Sequence, residues 1–117
     1  MKISTIKELL GAEVLCGEDM LEADVSSACC CDMMSDVLAY VKDQGALLTG
    51  LVNTQVIRTA NMMDMFCVIF VRNKMPTPEI IDLARESGIA VLRSALRAYE
   101  ASGLLYQAGL GSHHDHG

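Results

Sequence analysis

Residues 46–71 read ALLTGLVNTQVIRTANMMDMFCVIFV. This is an apolar run, a small turn at Thr49-Gly50, an amphipathic segment and a second apolar run. Val56, Ile57, Ala60 and Met63 recur at helical spacing between the two runs, which predicts a strand, a helix and a strand. Strands covered on both faces read as continuous apolar runs rather than alternating ones. The stretch therefore points to a parallel pair joined by a crossover helix. Short connections and right-handed crossovers make the two strands neighbours in one sheet.

Outward from this unit the pattern repeats. Downstream, Pro76 and Pro78 punctuate a loop. Thr77 and Pro78 open a helix that buries Ile80, Ile81 and Ala84 and stops at Gly88, because proline suits the first helical position and glycine the residue after the last. Ile89–Leu92 reads as a strand, and Ser94 as the cap of a final helix with Leu96, Tyr99, Gly103 and Tyr106 on one side. Upstream, Ser4 or Thr5 caps a first helix with Glu8 in a capping box, and Ile3, Ile6, Leu9 and Leu10 form its apolar face. Ala12–Cys16 and Val25–Cys31 read as strands. Asp32 caps a helix running to about Lys42, with Met34, Val37, Leu38 and Val41 on its inner face, and Asp43-Gln44-Gly45 turns into the central unit. The predicted fold is α/β: one three-layer domain over residues 1–108, with a mainly parallel sheet and helices on both faces. Residues 109–117, with His113, His114 and His116, read as a disordered tail.

Composition narrows the function. The chain has 117 residues, enough for one domain. A net charge of −6 and five aromatics without tryptophan argue against binding nucleic acid or an anionic membrane surface. No apolar run reaches membrane-spanning length. Five cysteines with no secretion signal point to reduced thiols in a cytoplasmic protein.

Three groups of residues invite a site. Thr49, Gly50, Asn53, Thr54 and Arg58 lie where a parallel strand meets a helix start, where backbone N–H groups favour an anion. The plainer reading is a capped helix beside a tight turn. Cys29, Cys30 and Cys31 form a cluster, but alternation along a strand puts Cys29 and Cys31 on one face and Cys30 on the other. That spacing suits small buried residues better than zinc or an iron–sulfur cluster, so at least two of the three are expected to be buried. The histidines of the tail would bind metal only adventitiously. No metal, cofactor or catalytic residue is expected. The competing reading is an enzyme subunit or metal carrier built on the cysteines.

Three stretches, ISTIKELLGAEVLCGE, LLTGLVNTQVIRTA and CVIFVRNKMPTPEIIDLARESGIAVL, resemble the DRTGG domain family across residues 2–108. Members are similar to the N-terminal domain of HPr kinase/phosphorylase. They also occur within some phosphotransacetylases and beside CBS domains. Stand-alone versions resemble small proteins encoded near iron-only hydrogenases. The resemblance implies a non-catalytic regulatory or accessory domain that self-associates and binds a partner protein or a small anionic or nucleotide ligand. Such a partner would belong to a metabolic or hydrogenase system. The family's Asp-Arg pair falls at Val52-Asn53 here, and its Thr-Gly-Gly at Val71-Arg72-Asn73. The absence of a GxxxxGK[ST] loop excludes a kinase of that class. Apolar surface around Met33, Met34, Met62, Met65, Leu104, Leu105 and Tyr106 is expected to form a homodimer interface, burying on the order of 1,200 Å² or more.

Overall fold

The computed structural model describes residues 1–40 and 45–111. The elements in chain order are α1 (Ile3–Leu10), β1 (Glu13–Cys16), β2 (Ser27–Cys30), α2 (Met34–Tyr40), β3 (Gly45–Thr49), α3 (Thr54–Met62), β4 (Cys67–Phe70), α4 (Pro78–Ser87), β5 (Ala90–Arg93) and α5 (Ala98–Gln107). They build one five-stranded sheet in the order β1-β5-β4-β3-β2. Strands β2, β3, β4 and β5 run parallel, and β1 closes one edge antiparallel to β5. The predicted pair β3 and β4 is adjacent and parallel, with Leu47 opposite Val68 and Leu48 opposite Ile69.

The continuous apolar runs have the expected cause. Every residue of β3 and β4 is buried, and successive residues serve opposite faces. Leu48, Ile69 and Leu92 pack with Ile3, Ile6, Ala101 and Leu105 of α1 and α5. Leu47, Val68, Phe70 and Val91 pack with Val37, Val56, Ile57, Ile80 and Ala84 of α2, α3 and α4. Three layers result, with three helices on one face and two on the other.

The cap expected at the start of α3 is Asn53, and Thr77 caps the helix that Pro78 opens. Asn53 Oδ1 accepts from Val56 N at 3.2 Å, and Thr77 Oγ1 accepts from Ile80 N at 3.3 Å. Gly11 and Gly88 end their helices in the left-handed conformation.

The other expected caps are corrected. Helix α1 begins at Ile3, not after Ser4 or Thr5, and Lys2 precedes it without a side-chain cap bond. Its first N–H groups, those of Ile3 and Ser4, donate to the carbonyls of Ala23 and Leu21 instead. A neighbouring loop thus supplies what a capping side chain would. Asp32 is diverted to another strand end, and α2 starts at Met34. Helix α5 starts at Ala98, four residues beyond Ser94. It turns Ala101 and Leu105 inward, so Tyr99 and Tyr106, predicted to share a packed stripe, are 90% and 73% exposed. Of the apolar residues expected outside, Met33, Met62, Leu104 and Tyr106 are exposed, whereas Met34, Met65 and Leu105 are buried. Leu110, assigned to the tail from composition, is buried, and the Gly111 carbonyl accepts from Ala28 N at 3.0 Å. Val41, Lys42, Asp43, Gln44 and residues 112–117 lie outside the described residues.

Ser94 is a tie rather than a cap. Its buried hydroxyl donates to the Leu10 carbonyl at 2.9 Å and accepts from Leu96 N at 3.2 Å. It thereby links the end of α1 to the loop after β5. Ser94→Ala removes the only donor described at that carbonyl from a side chain. The expected cost is roughly 1–3 kcal/mol of unfolding free energy, the range for orphaning a buried polar group. Urea denaturation with an unchanged slope would measure it, and a loss under about 0.5 kcal/mol would contradict the assignment.

Candidate functional site

All four parallel strands end on the same side of the sheet, which is where open α/β sheets gather ligands. The residues leaving β2, β3 and β4 there are Cys31-Asp32, Thr49-Gly50 and Val71-Arg72-Asn73. They converge. Asp32 Oδ1 accepts from the Thr49 hydroxyl at 2.8 Å and from Gly50 N at 2.9 Å. Thr49 Oγ1 in turn accepts from Leu51 N at 3.1 Å. The donors that the sequence offered to an external anion are therefore held by an internal carboxylate. The Gly50 N–H and then the Thr49 hydroxyl hold the Asp32 carboxyl below its ordinary value of 3.8 against the opposing effect of burial, with the Arg72 charge adding the least.

Opposite this pair stands Arg72. Its guanidinium lies over Gly50 so closely that a Cβ at position 50 would collide with it. A larger residue at 50 would therefore displace the Arg72 guanidinium from its place over the turn. Arg72 and Asn73 both hold φ of +59°, a conformation that costs a side-chain-bearing residue roughly 1–2 kcal/mol. Two backbone bonds hold it in place, Arg72 N to Leu96 O and Asn73 N to Ser94 O, each 2.8 Å. These are the positions onto which the DRTGG resemblance carried the family's glycines. Here Arg and Asn hold a left-handed backbone that glycine adopts readily.

The loops after β4 and β5 gather charge. Arg72, Lys74, Arg93 and Arg97 are four of the nine Lys and Arg residues of the chain. Arg93 pairs with Glu13 at 3.2 Å and donates to the Asn73 carbonyl. Among the described residues, Arg72, Lys74 and Arg97 form no ion pair within 4.0 Å. An acidic chain thus carries a basic rim at the carboxyl edge of its sheet, which a net charge cannot reveal.

The remaining predicted site residues fall to the side of this edge. Asn53 caps α3, and the Thr54 hydroxyl accepts from Arg58 Nη1 at 3.1 Å. Thr54 and Arg58 line a cleft between α3 and α4 with Glu79, Asp82 and Glu86. That acidic lining repels anions. Asp32, Arg72 and Asn73 were missed as site residues because their roles depend on strand ends brought together by the sheet.

All five cysteines are free thiols. Cys29 and Cys31 do share a face, packing toward α2, α3 and α4. The expectation that two of the trio are buried is corrected: Cys30 is exposed, and Cys29 and Cys31 are half-buried. The reason is position, since β2 is an edge strand. Burial, and then the neighbouring Cys31 and Cys30, push the Cys29 thiol up to about 11, and burial pushes Cys67 up to about 12. Among the described residues no group of three or more His, Cys, Asp or Glu side chains is placed to hold a metal, and no helix is long and apolar enough to cross a membrane.

With this geometry in view, comparison with protein families matches residues 5–108 to the DRTGG domain. The chain belongs to the DRTGG domain family. Comparison with curated proteins gives no match. Among solved structures, the chain is similar to the CBS and DRTGG domains in the regulatory region of a Clostridium perfringens pyrophosphatase, crystallised with its activator diadenosine tetraphosphate. The TM-score is 0.72 at 18% identity, covering 92% of this chain and 46% of that one. This DRTGG domain therefore spans about half the length of that regulatory region, and the likeness establishes the shared fold.

Two outcomes follow from the site. The depressed Asp32 carboxyl contributes stability at pH values above the ordinary 3.8, and loses it as pH falls through the lower folded value. Asp32→Asn should therefore be less stable than wild type at pH 7, with the gap closing below about pH 3.8. Thermal melts at both ends of that range check it, and a gap that widens in acid would refute the assignment. In native protein at pH 8, an alkylating reagent should modify Cys30 within minutes while Cys67 stays unmodified. Peptide mass spectrometry reads this directly.

Proposed function

We propose that this DRTGG domain is a non-catalytic regulatory module, homodimeric, that takes a small anionic ligand of the nucleotide class at the carboxyl edge of its parallel sheet. The observation that carries the reading is Arg72. It is held in a costly left-handed backbone at the end of β4, with its guanidinium over Gly50 and with Lys74 and Arg97 on the same loops. Unfavourable backbone maintained at a strand end marks a place shaped for a task, and a forked guanidinium is the side chain best matched to phosphate.

A phosphate arriving there would take the Thr49 and Gly50 donors from Asp32, beneath the Arg72 guanidinium. Arg58 belongs to the outer margin. Asp32 then acts as an internal competitor that sets a threshold for binding and keeps the turn in shape when no ligand is bound. Its two accepted hydrogen bonds and lowered pKa make it a poor general base, consistent with regulation rather than catalysis. The regulatory region of the pyrophosphatase, which carries this fold and was crystallised with a nucleotide activator, supports the ligand class.

Isothermal titration with diadenosine tetraphosphate, ATP and inorganic phosphate tests the reading. At least one nucleotide should bind wild-type protein, and Arg72→Ala should weaken it about tenfold to a hundredfold, the worth of one charge-assisted hydrogen bond. Asp32→Asn should not weaken it. Binding by none of the three, or binding indifferent to Arg72→Ala, would overturn the proposal.

A further inference from the structure

The two faces of the sheet are covered unequally. Helices α2, α3 and α4 pack on one face, and only α1 and α5 on the other. Where a third helix would lie, beside α5 and over the β2 edge, an open groove of about 960 Å³ remains. Ala28, Cys30, Leu48, Leu96 and Leu105 are among its walls. Among the described residues sixteen line it and only Glu100 of these is charged, against 21% of the whole chain. Depletion of charge with enrichment in tyrosine is the mark of an interface centre rather than of ordinary surface. Sixteen residues is also most of one side of a standard interface, which takes roughly 20–30.

Helix α5 is both a wall of the groove and the carrier of two exposed aromatics, Tyr99 and Tyr106. A cavity and a protrusion on one element are what a twofold contact needs, since the same patch then serves both subunits. Gly103 sits in the middle of α5, between the two tyrosines. Glycine inside a helix is about 1 kcal/mol less favourable than alanine, yet a Cβ built on Gly103 meets nothing within 4 Å. Nothing within the subunit requires glycine there. A second helix approaching from outside does.

We infer that the α5 groove is the homodimer interface, with α5 of each copy crossing its twofold mate at Gly103 and supplying the third helix missing from the other's sheet. Tyr106 and Tyr99 of one copy enter the groove of the other beside Leu48 and Leu96. The near absence of charge in the groove lets two subunits of net charge −6 meet there. The inference rests on the homodimer in the function proposed above and adds the face that forms it.

Sedimentation equilibrium of the full chain over the micromolar range tests both. Wild type should be a dimer. Gly103→Glu and Tyr106→Glu, both at positions open in the single subunit, should weaken association about a hundredfold or more, leaving the 12.7 kDa monomer. Gly103→Ala should weaken it about tenfold while leaving the melting temperature of the diluted, dissociated protein equal or higher. A monomeric wild type would overturn the dimer and this inference together. A wild-type dimer that persists in both glutamate variants would overturn only the choice of face, because the subunits would then meet elsewhere.

Discussion

Everything in this domain depends on covering β3 and β4 on both sides. All nine strand positions of this pair, Gly45–Thr49 and Cys67–Phe70, are buried, so neither face of the central pair can be left to water. At about 25 cal/mol per Å² of apolar surface, each large side chain there contributes on the order of 2 kcal/mol by leaving water. Leu47, Leu48, Ile69 and Phe70 are among the largest fully buried side chains. Helices on both faces follow, and the crossovers that carry the chain between them set the strands parallel. The antiparallel β1 and the helix before it then close the β5 side, where Ser94 ties the end of α1 to the loop after β5.

That arrangement concentrates chemistry at one edge. Parallel strands deliver their carboxyl ends to the same side, so Asp32, Thr49, Gly50 and Arg72 meet although they come from three separate loops. Local electrostatics there run against the whole-chain charge. Asp32 is satisfied by two short donors, while Arg72 and its neighbours form a basic rim. Gly50 and Arg72 are coupled by space: a side chain at position 50 would push the guanidinium off the turn. The Arg72-Asn73 backbone is held by the loop after β5, so the β4 and β5 loops behave as one unit.

The second consequence of the layering is the uneven coat. Among the described residues the β2 side of the α1 and α5 face is left open. The cysteines show the same economy. Cys67, in a central strand, is sealed and its thiol is pushed up to about 12, while Cys30 on the edge strand meets solvent.

Local patterning along the chain specifies the alternation of strands and helices, the parallel central pair, the cap at the start of α3, the helix start at Pro78 and the stops at Gly11 and Gly88. These rest on local physics: hydrophobic period, and side chains that reach an N–H three residues away. It also marked the Thr49-Gly50 turn. The tertiary structure alone decided where long-range partners outbid local ones. Asp32 left its own helix for Gly50, 18 residues on, and Ser94 bonded Leu10, 84 residues back. The face α5 buries, the left-handed Arg72-Asn73 pair and the exposure of Cys30 were decided there too. Each depends on which strand ends, edges and loops become neighbours, and no spacing along the chain encodes that.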